Sequence, residues 1–112
     1  MKNTKLEYMY RDGANYKMFA EAVLPGTLSP AETAEILKQT RDEIFPDCHY
    51  FYPGNIGLPA PTCASEGYDA YDDDPDWHEL LNLSATDEEP TTEITAEALL
   101  SAVRNGSATR NN

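Results

Sequence analysis

Lys5-Leu6-Glu7-Tyr8-Met9-Tyr10-Arg11, then Asp12-Gly13-Ala14-Asn15, then Tyr16-Lys17-Met18-Phe19-Ala20-Glu21-Ala22-Val23-Leu24, is the stretch on which the fold turns. Its first part alternates, with Leu6, Tyr8 and Tyr10 on one side and Glu7 and Met9 on the other. A period of two with aromatic residues is the pattern of a β-strand. Asp-Gly is a strong turn signal. Tyr16–Leu24 therefore reads as the return strand, in which Tyr16, Met18, Ala20 and Ala22 alternate with Lys17, Phe19, Glu21 and Val23. Lys, Met, Ala and Glu also favour helix, which keeps a helical reading of Tyr16–Val23 open. The preceding strand and the Asp-Gly turn favour the hairpin.

Working outward, Pro25-Gly26 closes the hairpin. Ser29-Pro30-Ala31-Glu32 is the clearest local signal. Ser29 suits an N-cap, Pro30 suits the first helical position, and Glu32 closes a capping box. A helix is predicted from about Pro30 to Asp42, with Ala34, Ile36, Leu37 and Thr40 as a partial apolar stripe. His49-Tyr50-Phe51-Tyr52 reads as a short strand ending at Pro53-Gly54. Residues 53–76 hold Pro53, Pro59, Pro61 and Pro75 with Gly54, Gly57 and Gly67, a long irregular loop. Loops of that length are usually functional or mobile. Asp76–Leu83, with Trp77, Leu80, Leu81 and Leu83, suits a last short strand, and Ser84–Thr92 a polar linker. Thr95 can cap a final helix, Ala96–Asn105, that buries Leu99, Leu100 and Val103 and stops at Asn105-Gly106. Residues 107–112 read as a flexible tail. The expectation is one α+β domain over residues 1–106. It has a small antiparallel sheet with an N-terminal β-hairpin, one capped central helix and one C-terminal helix. The helices should cover one face of the sheet.

The 112 residues carry 8 Lys and Arg against 20 Asp and Glu, a net charge of -12. Hydrophobic residues at 40% supply one modest core, which excludes wholesale disorder. No apolar run approaches the roughly 18 residues of a membrane span. No charged and apolar leader pattern is visible, so the expected location is cytoplasmic. Residues 1–45 are nearly neutral, at -1, whereas residues 46–112 carry -11 and have no Lys or Arg between Arg41 and Arg104. Such a field repels nucleic acid and anionic membranes and attracts basic proteins or cations.

The acidic surface centres on Asp69, Asp72, Asp73, Asp74 and Asp76. Asp72, Asp74 and Asp76 fit the first three ligand positions of a calcium loop. Trp77 stands where the Gly should be and Leu83 where the closing Glu should be, so a solvated acidic loop is the better reading. Cys48, His49, Cys63 and His78 are the soft-ligand set, but none forms the tight pair that zinc sites use. No metal and no cofactor is expected. Trp77-His78-Glu79 on a strand would put Trp77 and Glu79 on one face and His78 on the other. His78 can serve as a general base if an acid orients it. The plainer expectation has Trp77 at the core edge and His78 half-exposed. Around the hairpin tip, Arg11, Asn15 and Lys17 can hold an anion, or Arg11 or Lys17 can pair with the acidic belt.

The pieces Tyr10-Arg11-Asp12, Asn15-Tyr16-Lys17, Gly57-Leu58-Pro59, Asp74 with Trp77-His78-Glu79, and Thr86-Asp87 before Pro90 resemble a family of short acidic bacterial proteins. They are scattered over residues 8–90. The resemblance implies the order of elements and brings no activity with it. It also implies that the hairpin tip and Trp77-His78-Glu79 are related features, which would gather Arg11, Asn15, Lys17, His78 and Glu79 into one polar site. Two functions follow as expectations. The first is a non-enzymatic interaction or regulatory protein that holds a basic protein partner, in one form a phage or mobile-element inhibitor that mimics nucleic-acid charge. The second is a small-ligand or catalytic site built from Arg11, Asn15, Lys17, Trp77, His78 and Glu79.

Overall fold

In the computed structural model, which describes residues 2–11, 17–61 and 77–110, the alternation of the first strand sets the layers. Strand β1 spans Asn3–Arg11 and β2 spans Lys17–Pro25, paired antiparallel from Asn3↔Pro25 to Arg11↔Lys17. Leu6, Tyr8 and Tyr10 point to the inner face and are buried. Ala22 and Leu24 of β2 join them there, while Phe19 and Glu21 face outward. The return element is thus a strand, because β1 offers it nine residues of ladder and pairing overrides the helical propensity of its residues.

Helix α1, Pro30–Thr40, begins with the expected capping box. The Ser29 amide donates to Glu32 Oε1 at 2.8 Å and the Glu32 amide to Ser29 Oγ at 3.1 Å. The helix ends before Asp42 because Arg41 is extended and bridges His49 in antiparallel fashion. Its inward face carries Ile36 and Thr40, while Ala34, expected in the stripe, is exposed. Strand β3 is only Tyr50–Phe51, followed by a 3-10 turn over Pro53–Ile56. Strand β4 runs His78–Thr86 and completes a four-stranded antiparallel sheet in the order β2-β1-β4-β3.

Strand β4 differs from the expected Asp76–Leu83 segment at its end. Ser84, Ala85 and Thr86, expected in the linker, pair with Lys5, Thr4 and Asn3. That pairing is long-range and has no local signal. A bulge lets Glu7 face Asn82 while Tyr8 faces Leu80. Leu81 is the extra residue and projects outward, and Leu80 and Leu83 both serve the core. Helix α2, Ala96–Arg104, is capped by Thr95, whose Oγ1 accepts from the Ala98 amide at 3.0 Å. Ile36 of α1 and Leu99, Leu100 and Val103 of α2 pack with Leu6, Tyr8, Leu24 and Phe51 of the sheet in one core. Both helices therefore cover the same inner face.

Residues 107–110 correct the expectation of a flexible tail. Ser107–Thr109 forms a 3-10 turn with Ala108 fully buried. The Tyr52 amide donates to the Ala108 carbonyl at 2.7 Å, and Asn55 Nδ2 donates to the carbonyls of Ser107 and Arg110. Residues 107–110 are held by the loop after β3, which local sequence does not announce. The expected irregular loop over 53–76 is described only to residue 61, and there it opens with the 3-10 turn and buries Leu58. Among the described residues no helix is long and apolar enough to cross a membrane.

Candidate functional site

The outer face of the sheet carries the odd-numbered residues of β1 and β2. Arg11 and Glu79 meet there, with Arg11 Nη2 3.5 Å from Glu79 Oε2. The sheet register accounts for the contact. Glu79 lies opposite Met9 on one side and Tyr50 on the other, so Arg11, two residues beyond Met9, reaches it diagonally. Lys17 stands opposite Arg11 on β2 and is exposed. Trp77 precedes β4 and packs edge-on against Tyr50, with ring centroids 5.9 Å apart. Burial first, then a hydrogen bond with Cys48 and the negative charge of Glu79 and Asp42, pushes the Tyr50 phenol up to about 12.

His78 does not join this group. Strand alternation turns it to the inner face, where it is 1% exposed, against the expectation of a half-exposed surface residue. Its ring lies 5.2 Å from that of Tyr10 and 6.1 Å from that of Tyr8. Nε2 is 3.0 Å from the Pro61 carbonyl. A carbonyl only accepts, so this nitrogen carries the hydrogen. Tyr8, whose phenol burial pushes up to about 12, donates its hydroxyl to the Pro59 carbonyl. Tyr8 and His78 thus tie down the segment after the 3-10 turn, and sequence reasoning assigned neither of them that role. The signal available was the run Pro59-Ala60-Pro61, in which proline keeps its carbonyl acceptor but has no N–H to donate.

Asn15, Cys63 and the acidic residues Asp69, Asp72, Asp73, Asp74 and Asp76 lie outside the described residues. A second acidic stretch, not singled out in the sequence, is described: Asp87, Glu88, Glu89, Glu93 and Glu97 are all exposed. Glu88 takes Lys5 Nζ at 3.0 Å, and that bond, helped by Thr86, holds its carboxyl below the usual range. Lys5 also lies 3.6 Å from Glu21. Arg104 grips Glu35 with both nitrogens, at 2.6 and 3.0 Å. Among the described residues, Lys5, Arg11 and Arg104 are thus engaged within the molecule.

The outer face also holds a shallow depression of about 440 Å³ lined by Glu7, Tyr8, Phe19, Ala20, Glu21 and Leu81. Its lining includes neither Arg11 nor Glu79 and offers no His or Cys. Among the described residues no three His, Cys, Asp or Glu side chains gather as metal ligands would. No protein-family model matches the chain, and neither a curated protein nor a solved structure shows significant similarity to it.

Proposed function

We propose that this chain is a non-enzymatic interaction protein whose acidic surface holds a basic protein partner. The observation that carries the reading is where the charges go. Lys5, Arg11 and Arg104 spend their charge on Glu88, Glu79 and Glu35, while Glu89, Glu93 and Glu97 face solvent on a stretch that holds no Lys or Arg. An uncompensated field of that kind steers a basic protein and repels nucleic acid. The concrete form is a charge mimic of nucleic acid, made by a phage or mobile element, that occupies the basic groove of a nucleic-acid-binding protein in the bacterial cytoplasm. Membership in the family of short acidic bacterial proteins belongs to the same proposal.

Capture of a nucleic-acid-binding protein from bacterial lysate, followed by binding of the purified pair, tests the reading. Glu89→Lys, Glu93→Lys and Glu97→Lys together should weaken that binding at least tenfold, while Lys38→Ala leaves it unchanged. Equal affinity for the native chain and the triple variant would remove the acidic stretch from the interface.

A second reading keeps a small-ligand site at Arg11, Lys17, Trp77 and Glu79. It is favoured by one observation, the convergence of Arg11 with Glu79 beside the exposed Trp77. A ligand that shifts the melting temperature of the native chain and not of Arg11→Ala would support it.

A further inference from the structure

We propose that a second copy of this chain pairs with the edge of β2, joining the two sheets into one. The inference goes beyond the basic partner and uses a different surface. Strand β2 forms one edge of the sheet, and the two-residue β3 forms the other. Val23 sends its backbone groups away from β1. Its carbonyl accepts from the Thr91 amide at 2.9 Å, and its amide donates to Thr91 Oγ1 at 2.9 Å. The period of two then aims the amides and carbonyls of Glu21, Phe19 and Lys17 outward as well. Among the described residues, the outward backbone bonds of β2 are those of Val23 with Thr91. One end of this edge is thus covered and, among the described residues, the other end is open to a strand.

The residues at the open end fit their own copy. Placing Phe19 opposite Phe19 of an antiparallel second copy puts Lys17 opposite Glu21, and by the twofold axis Glu21 opposite Lys17. All three pairs then fall at positions with outward backbone groups, so each pair can exchange two hydrogen bonds. Each copy contributes the same patch, as a twofold interface requires. Phe19 is 70% exposed in the single chain, a large apolar side chain with no cover, and it would gain a cross-strand aromatic neighbour. Charge selects the same place. Lys5, Arg11 and Lys17 offset all but one of the charges of Glu7, Glu21, Glu79 and Glu88 here, in a chain that carries -12 overall. Two acidic copies repel least where the local charge is nearly even.

Sedimentation equilibrium on the purified full chain tests the proposal. The native chain should reach twice the chain mass as concentration rises. Lys17→Glu alone, or Glu21→Lys alone, sets like charges opposite each other and should weaken the dimer about tenfold. The double variant Lys17→Glu with Glu21→Lys should restore it, because the swapped pairs are again opposite in sign. Phe19→Pro should abolish it, since the proline removes an outward amide and leaves the ladder to β1 intact. A native chain that stays monomeric at every concentration would overturn the proposal and make Lys17 an edge blocker instead. A dimer that survives Phe19→Pro, or a double variant as weak as the singles, would overturn it too. Amide exchange on the native chain needs no variant: Lys17, Phe19 and Glu21 should gain protection with concentration, and unchanged exchange would contradict the pairing.

Discussion

His78 shows how much one face of one strand decides. On the outer face it would have stood beside Arg11 and Glu79 as a candidate base. On the inner face it is packed against Tyr8 and Tyr10 and bonded to the Pro61 carbonyl. Its role is therefore to hold the loop to the core. His78→Ala should lower the stability by about 2 to 4 kcal/mol, through the cavity and the lost hydrogen bond. An unchanged midpoint in urea would contradict that role. Tyr8 and Tyr50 make a second residue-scale prediction. Their phenols are pushed up from 10.0 to about 12. A phenol that ionises more readily when unfolded stabilises the fold below pH 10. That contribution is lost as pH rises from 10 toward 12. Ultraviolet titration should find these two among the last tyrosines to ionise, with unfolding in the same window. Ionisation of all seven tyrosines below that window in the folded chain would contradict the burial.

At the scale of elements, the pieces governed by short-range chemistry were legible. The Ser29 capping box rests on residues three apart, and the alternation of β1 on residues two apart. Ser29→Ala should cost about 1 kcal/mol, because it leaves the Glu32 amide without its acceptor. Equal thermal midpoints for Ser29→Ala and the native chain would show that the box contributes nothing. What was not legible depends on distant partners. Ser84–Thr86 become strand only because Asn3–Lys5 lie beside them, and residues 107–109 are ordered only because the loop after β3 receives Ala108. Charge alone paired Arg11 or Lys17 with the acidic belt at large, and it was the resemblance that implied a meeting of Arg11 with Glu79. The turn of His78 away from both was legible in the alternation of Trp77-His78-Glu79, while its burial follows from which neighbours β4 acquires. Trp77, the most apolar-looking residue of its segment, stays 44% exposed, while the polar His78 is buried. Composition alone pointed the opposite way.

For the whole molecule, the consequence is a division of surfaces. Helices α1 and α2 cover the inner face, the outer face ends among the described residues in an open strand edge, and Glu89, Glu93 and Glu97 lie exposed on a stretch without Lys or Arg. On the proposed function, the acidic stretch draws basic proteins by long-range attraction, which ions screen over about 10 Å at 0.1 M salt. The most direct test is the affinity for a captured basic partner, measured as salt is raised through physiological ionic strength. Binding should weaken steeply, with the loss mainly in the association rate. An affinity that stays flat from low to high salt would contradict the acidic surface as the seat of function.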